Sequence, residues 1–199
     1  SFLKKKSVKK ILNRDINKID HHLSHISSSA FISNFEEATC LSLDGFGDFC
    51  SGAVGKYENN KIKIEKRIYF PDSLGVFYHA LTQFLGFTNF GDEYKVMGLS
   101  GYGKPSLKSK IYNLIKFDER NLYKLNLKYF NFFKKNYFNN SGVPEFNKLY
   151  SENIIELLGA PRKKNDQITE YHKDLACSLQ TVYEEIFFKI LNKIYKNYK

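Results

Sequence analysis

The chain has 199 residues, 42% hydrophobic and 16% aromatic, and a net charge of +10, enough apolar material for one well-buried domain or two small ones. No apolar run approaches the ~18 residues that cross a bilayer, and the basic opening SFLKKKSVKK leads into no apolar stretch, so neither a transmembrane span nor a secretory signal is expected. Three cysteines, Cys40, Cys50 and Cys177, with no CxxC spacing exclude a disulfide framework and a cysteine-rich zinc site, and point to a cytoplasmic location.

In chain order, Val8, Leu12 and Ile16 recur at helical spacing, which predicts a helix from Ser1 to about Ile19. His21–Phe31 reads as a second helix, rich in serine and alanine. The period then changes. Ala38–Leu43 is a strand running into a sharp turn at Asp44-Gly45-Phe46-Gly47-Asp48, followed by strands at Phe49–Tyr57 and Ile62–Phe70, with Asn59-Asn60 between them. These make an antiparallel meander. Ser73 caps a helix whose apolar stripe is Leu74, Phe77, Tyr78, Leu81, Phe84 and Leu85, and Gly86 ends it.

A short helix is expected over Asp92–Leu99, closed by Gly101-Tyr102-Gly103-Lys104-Pro105, and another over Lys108–Lys116. Short strands or loops follow at Leu122–Phe132, then a turn at Asn139-Asn140-Ser141-Gly142. From Asp166 to Lys196 one long helix carries Leu175, Leu179, Val182, Ile186, Ile190 and Ile194 on one face. The pattern is a mixed α/β fold.

The positive charge resides mainly in lysine, since the arginines are only Arg14, Arg67, Arg120 and Arg162. Lysine is a flexible point charge without the planar fork that reads phosphate or guanine. The lysines are scattered among Asn, Ile, Phe and Tyr, as AT-rich coding would produce, so solvated faces are expected rather than a specific nucleic-acid surface. The patch Lys4, Lys5, Lys6, Lys9 and Lys10 would bind polyanions weakly.

Three clusters carry chemistry. On a helix, His21 and His25 stand at i and i+4 and project from one face, where two imidazoles can share a metal ion. The alternative is a pair of surface histidines, or core histidines bonded to backbone. Asp44, at a strand end beside Gly45 and Gly47, adds a carboxylate; two imidazoles and a carboxylate form the ligand set of open iron(II) or catalytic zinc sites. An ordinary Asp-Gly hairpin is the plainer reading. The third cluster, Gly91 to Leu99 with the glycine turn after it, places Glu93, Tyr94 and Lys95 together, a mixture suited to polyhydroxyl or nucleotide binding, although no Walker loop is present. A helix with a glycine cap explains it equally simply.

The order His21-His22-Leu23-Ser24-His25, Ser28-Ser29-Ala30-Phe31, Ser33-Asn34-Phe35 and Leu41-Ser42-Leu43-Asp44-Gly45-Phe46-Gly47-Asp48 resembles the carbamoyltransferases of antibiotic and nodulation-factor biosynthesis. So do Pro71–Tyr78, Thr82–Phe87, Glu93-Tyr94-Lys95-Val96-Met97-Gly98-Leu99, Tyr102-Gly103-Lys104-Pro105 and Asp174–Gln180, in collinear order. Asp48, Asn34 and Ser100-Gly101 stand where that family usually has Glu, Pro and Ala-Pro.

The resemblance implies part of an actin-like ATPase (ribonuclease H-like) domain. It also implies transfer of a carbamoyl group from carbamoyl phosphate and ATP, through carbamoyl-adenylate, to a hydroxyl of a sugar or other small molecule. His21, His25 and Asp44 match the family's metal motifs, the metal being iron(II), with zinc as the alternative. Gly45, Gly47, Glu93 and Lys95 would contact nucleotide or acceptor, and His22 would assist as acid or base, against a structural hydrogen bond as its alternative. The family continues into a second glycine-rich half and an adenylate-forming domain. This chain therefore reads as a single partial domain, inactive alone, and self-associating through the apolar stripe of its last helix. The rival readings are a non-catalytic remnant and a relative of the transfer-RNA threonylcarbamoyl transferases.

Overall fold

A computed structural model describes residues 17–89, 91–133 and 148–197. The expected first helix over 1–16, its lysine patch and the turn at 139–142 lie outside the described residues. The chain divides into two compact units, one ending at Phe70 and the other beginning at Pro71.

In the first unit, helix α1 (His21–Ala30) precedes three strands, β1 (Glu37–Gly47), β2 (Cys50–Glu58) and β3 (Lys61–Tyr69). They form an antiparallel sheet in the order β1-β2-β3, as the two turn signals required. Residues 17–20 are not helical, contrary to the expectation that the first helix reached Ile19. Asp20 instead takes an extended backbone and caps α1, its side chain accepting from Leu23 N at 2.9 Å.

One face of α1, His22, Ile26 and Ala30, is buried. Ile26 and Ala30 form a small core with Ala53 and Tyr57, flanked by Ala38, Cys40, Ile62 and Ile64. The helix comes this close because the strands present small residues to it. A β-carbon on Gly55 would already touch the Ile26 side chain at 3.4 Å. Each large apolar side chain covered this way contributes about 1.5–3 kcal/mol.

The turn expected at Asp44 lies further on. β1 runs through Asp44 to Gly47, and the reversal is made by Asp48 and Phe49, both at positive φ, with Gly47 paired to Cys50. Between the Leu43–Gly52 and Gly47–Cys50 pairs, three residues of β1 face only Ser51 of β2. Asp44, Gly45 and Phe46 therefore occupy a bulge, which bends the strand and redirects its side chains. Periodicity and glycine content mark a break here but not its form.

The second unit is mainly helical. Helix α2 (Leu74–Phe84) is capped by the Ser73 hydroxyl, which accepts from Val76 N at 3.1 Å. It ends where Gly86 adopts φ +79° against the Arg162 carbonyl. Helices α3 (Glu93–Ser100) and α4 (Lys108–Ile111) follow, then the hairpin β4 (Ile115–Asp118) and β5 (Leu122–Leu125), a 3₁₀ turn at Leu127–Tyr129, α5 (Glu152–Leu158) and α6 (Glu170–Asn197).

Two helix boundaries differ from expectation. The helix expected over Lys108–Lys116 stops at Ile111, because Ile115-Lys116-Phe117-Asp118 pairs residue for residue with Leu122–Leu125. The long helix starts at Glu170 rather than Asp166. Asp166 closes a turn instead, its carboxylate accepting from Lys163 N and its carbonyl accepting from Arg162.

The α6 stripe is not exposed. Leu175, Leu179, Val182, Ile186 and Ile190 are fully buried and Ile194 is 6% exposed. α2, α3, α4 and the β4–β5 hairpin pack against α6. The expectation that this stripe is exposed is therefore corrected, since the unit covers it internally. Segments far apart in the chain also meet at this helix: Asp174 accepts from Lys104 N and Ser106 Oγ, both at 2.8 Å, and Gln180 accepts from the Tyr78 hydroxyl at 2.7 Å. Among the described residues, no helix is long and apolar enough to cross a membrane.

Candidate metal centre

The register of α1 determines which histidines face where. With His22, Ile26 and Ala30 turned into the sheet, His21 and His25 fall one step around the helix, together at the rim. On β1, alternate residues Ala38, Cys40 and Ser42 face the helix. Asp44 is the next residue of that series, and the bulge carries its carboxylate to the two rings.

His21 Nε2 lies 2.6 Å from Asp44 Oδ2, His25 Nε2 lies 3.3 Å from the same oxygen, and the two Nε2 atoms are 3.0 Å apart. One donor atom from each residue falls within 4.8 Å of the others. With ligand bonds of about 2.0–2.1 Å, neighbouring donors stand about 2.9 Å apart in an octahedral set and about 3.3 Å in a tetrahedral one. The three separations are close to these edges. Two imidazole nitrogens and a carboxylate oxygen on one partly exposed rim are the donor types that fit a divalent cation of the iron(II) or zinc type.

The surroundings hold Asp44 ionised. Burial works to raise its pKa, but the hydrogen bonds from His21, from the Gly45 backbone N–H and from His25 outweigh it and hold the carboxyl below the usual range. Gly45 N donates to Oδ1 at 2.6 Å, which leaves Oδ2 to the histidines. His21 is the first helical residue, and its own N–H donates to Asp48 Oδ2 at 3.2 Å.

Gly47 has a steric role beside this site. A β-carbon there would sit 2.0 Å from Cδ2 of the His21 ring, whereas one on Gly45 would meet nothing within 4 Å. His22 is wholly buried, and its Nδ1 lies 2.9 Å from the Ser42 hydroxyl. Burial, opposed by the Cys50 backbone, holds its pKa below the ordinary imidazole value. The ring is enclosed by protein and hydrogen-bonded to Ser42.

Glu93 and Lys95 lie in the second unit and take separate partners. Glu93 bonds the buried His79, which the sequence reading did not single out, through a carboxylate–Nδ1 contact. His79 had a legible signal in its place among the apolar residues of α2. Lys95 is 2.6 Å from Asp92, and that pair, above all its hydrogen bond, lowers the pKa of Asp92 and raises that of Lys95.

Residues 2–199 match the family model described as Carbamoyltransferase N-terminus. An uncharacterized protein of Synechocystis is 34% identical over 179 residues, covering 89% of this chain and 27% of its own length. Nodulation protein NolNO of Sinorhizobium fredii is 32% identical over 177 residues, covering 87% of this chain and 22% of its own. Nodulation protein NolO of Bradyrhizobium diazoefficiens is 32% identical over 181 residues, with 87% and 28% covered. The chain thus spans about a quarter of the length of the curated relatives it matches.

Proposed function

The chain belongs to the carbamoyltransferase family, through its N-terminal region, and from that premise we propose that His21, His25 and Asp44 form the cation site of a centre transferring carbamoyl to a hydroxyl of a small molecule. The carbamoyl donor is carbamoyl-adenylate, made from carbamoyl phosphate and ATP. The observation that carries this reading is the meeting of three donor atoms from two elements, 19 and 23 residues apart, on one rim. The meander followed by helices supports placing the chain in part of an actin-like domain.

A bound divalent cation supplies Lewis-acid polarisation of the carbamoyl carbonyl, or a hold on the adenylate phosphate. The protein's part is to present the donors in usable form. His21 and His25 offer their Nε2 atoms from one helix face, so their spacing is fixed by helix geometry. Asp44 stays ionised at neutral pH, with one oxygen held by Gly45 N–H and the other aimed at the histidines. The open side of Gly45 leaves room for a ligand. His22 supports the helix through Ser42. Glu93, steadied by His79, and Lys95, paired to Asp92, are the contacts for acceptor or nucleotide. Holding both reactants in place supplies much of the remaining rate.

The test is metal analysis of the purified chain with carbamoyl-transfer assays on the whole protein, using iron(II) and a panel of sugar hydroxyl acceptors. His21→Ala, His25→Ala and Asp44→Asn are each expected to lose the bound metal and turnover together. Full metal content and turnover in all three variants would overturn the reading.

A further inference from the structure

His21 stands at a weak point. The first residues of a helix have no intrahelical partner for their N–H groups and are the first to fray. A ligand at that position is held only as well as the helix start itself. Here the start is tied to the sheet from outside. Asp20, immediately before His21, caps the helix through Leu23 N. The same carboxylate is gripped by Arg67 of β3, with Nη2 3.1 Å from Oδ2 and Nη1 3.3 Å from Oδ1. This is a two-point fork between planar groups, the geometry in which arginine fixes orientation as well as charge.

Arg67 is itself well anchored. It lies across from Ala53 in the β2–β3 ladder, and its guanidinium also leans on Cys50. Cys50 pairs with Gly47, the residue against which the His21 ring rests. The guanidinium thus links the start of the helix, through Asp20, to the hairpin that carries Asp44. Cap, ring contact and carboxylate are set in one frame.

We infer that Arg67 and Asp20 are positioning residues of the metal centre, whose two-point contact fixes the first turn of α1 so that His21 and His25 meet Asp44. The inference rests on the reading of that site as a cation site. It requires Arg67 to act through Asp20 and the helix, with no contact to the cation.

The experiment is cobalt(II) titration of the 199-residue chain, followed by visible absorption, with Arg67→Met, Asp20→Ser and Arg67→Lys. Asp20→Ser retains a capping oxygen but loses the fork, so its helix should form normally by circular dichroism. Arg67→Met and Asp20→Ser are expected to weaken cobalt(II) binding about tenfold, the lower end of the effect of outer partners on metal affinity. Arg67→Lys should recover part of it. In the metal-free chain, the imidazole nitrogen resonances of His21 and His25 should move in both fork-breaking variants, while those of His172 stay. Unchanged affinity and unchanged His21 and His25 resonances in Arg67→Met and Asp20→Ser would overturn the inference. A wild-type chain that binds no cobalt(II) would sink the cation reading instead. The imidazole resonances would then decide the positioning role alone, displaced signals supporting it and unmoved ones refuting it.

Discussion

The backbone of Gly47 lies against the His21 ring so closely that a β-carbon would be 2.0 Å from its Cδ2 atom. Either the ring or the hairpin must move when that atom is added. Gly47→Ala is expected to cost about 1–3 kcal/mol, the usual range for overpacking, and to reduce metal uptake because His21 is displaced. Gly45→Ala meets open space and serves as the control. Urea unfolding of both variants checks the steric claim, and equal midpoints would refute it.

Asp174 gives a pH signature in the second unit. Hydrogen bonds from Lys104 N and Ser106 Oγ hold its carboxyl below the ordinary value of 3.8. Because the folded-state value is the lower one, the interaction is complete above about pH 4 and is lost as pH falls through the lowered value. The Lys104 amide resonance should titrate with a midpoint below 3.8 and lose that step in Asp174→Asn. A midpoint above 3.8 would show that the loop is not held this way.

Along α6, burial separates residues of similar size. Leu179 is fully buried, while Phe188 is 59% exposed. Leu179→Ala is expected to cost about 2–5 kcal/mol in denaturant unfolding, by lost transfer energy and the cavity left behind. Phe188→Ala should stay within about 0.5 kcal/mol. Comparable losses would mean that the helix is packed on another face.

The positive charge predicts only weak association with nucleic acid. Fluorescence anisotropy with duplex DNA should show binding that falls steeply between about 50 and about 200 mM salt, as phosphate contacts weaken. No sequence preference is expected. Tight, sequence-selective binding at the higher salt would reverse this expectation.

Much of the architecture was legible because it depends on local patterns. The serine cap of α2, the alternating strands of the meander and the 3–4 spacing along α6 each encode one element through its own residues. The same is true of the i, i+4 pairing of His21 and His25. The hairpin at β4–β5 was less legible, since Lys108–Lys116 has enough apolar residues for a helix and only pairing with Leu122–Leu125 turns its end into a strand. α5 was missed altogether: Glu152–Leu158 is a short segment, and runs of that length carry little periodic signal.

By itself the sequence determined which residues carry donor atoms and on which local element each stands. The tertiary structure decided which donors meet and which are shut away. His21 and His22 are adjacent and chemically identical, yet one faces Asp44 across the rim and the other is sealed against Ser42. The helix can roll only so far before Ile26 and Ala30 leave the sheet, and that burial chooses between them. Asp44 reaches the histidines through a bulge, a mismatch between two strands that neither strand reveals alone. Arg67 became part of the site only when β3 brought it to Asp20, 47 residues away along the chain. Packing of the helix on the sheet is a property of several segments at once, so no single stretch of sequence contains it.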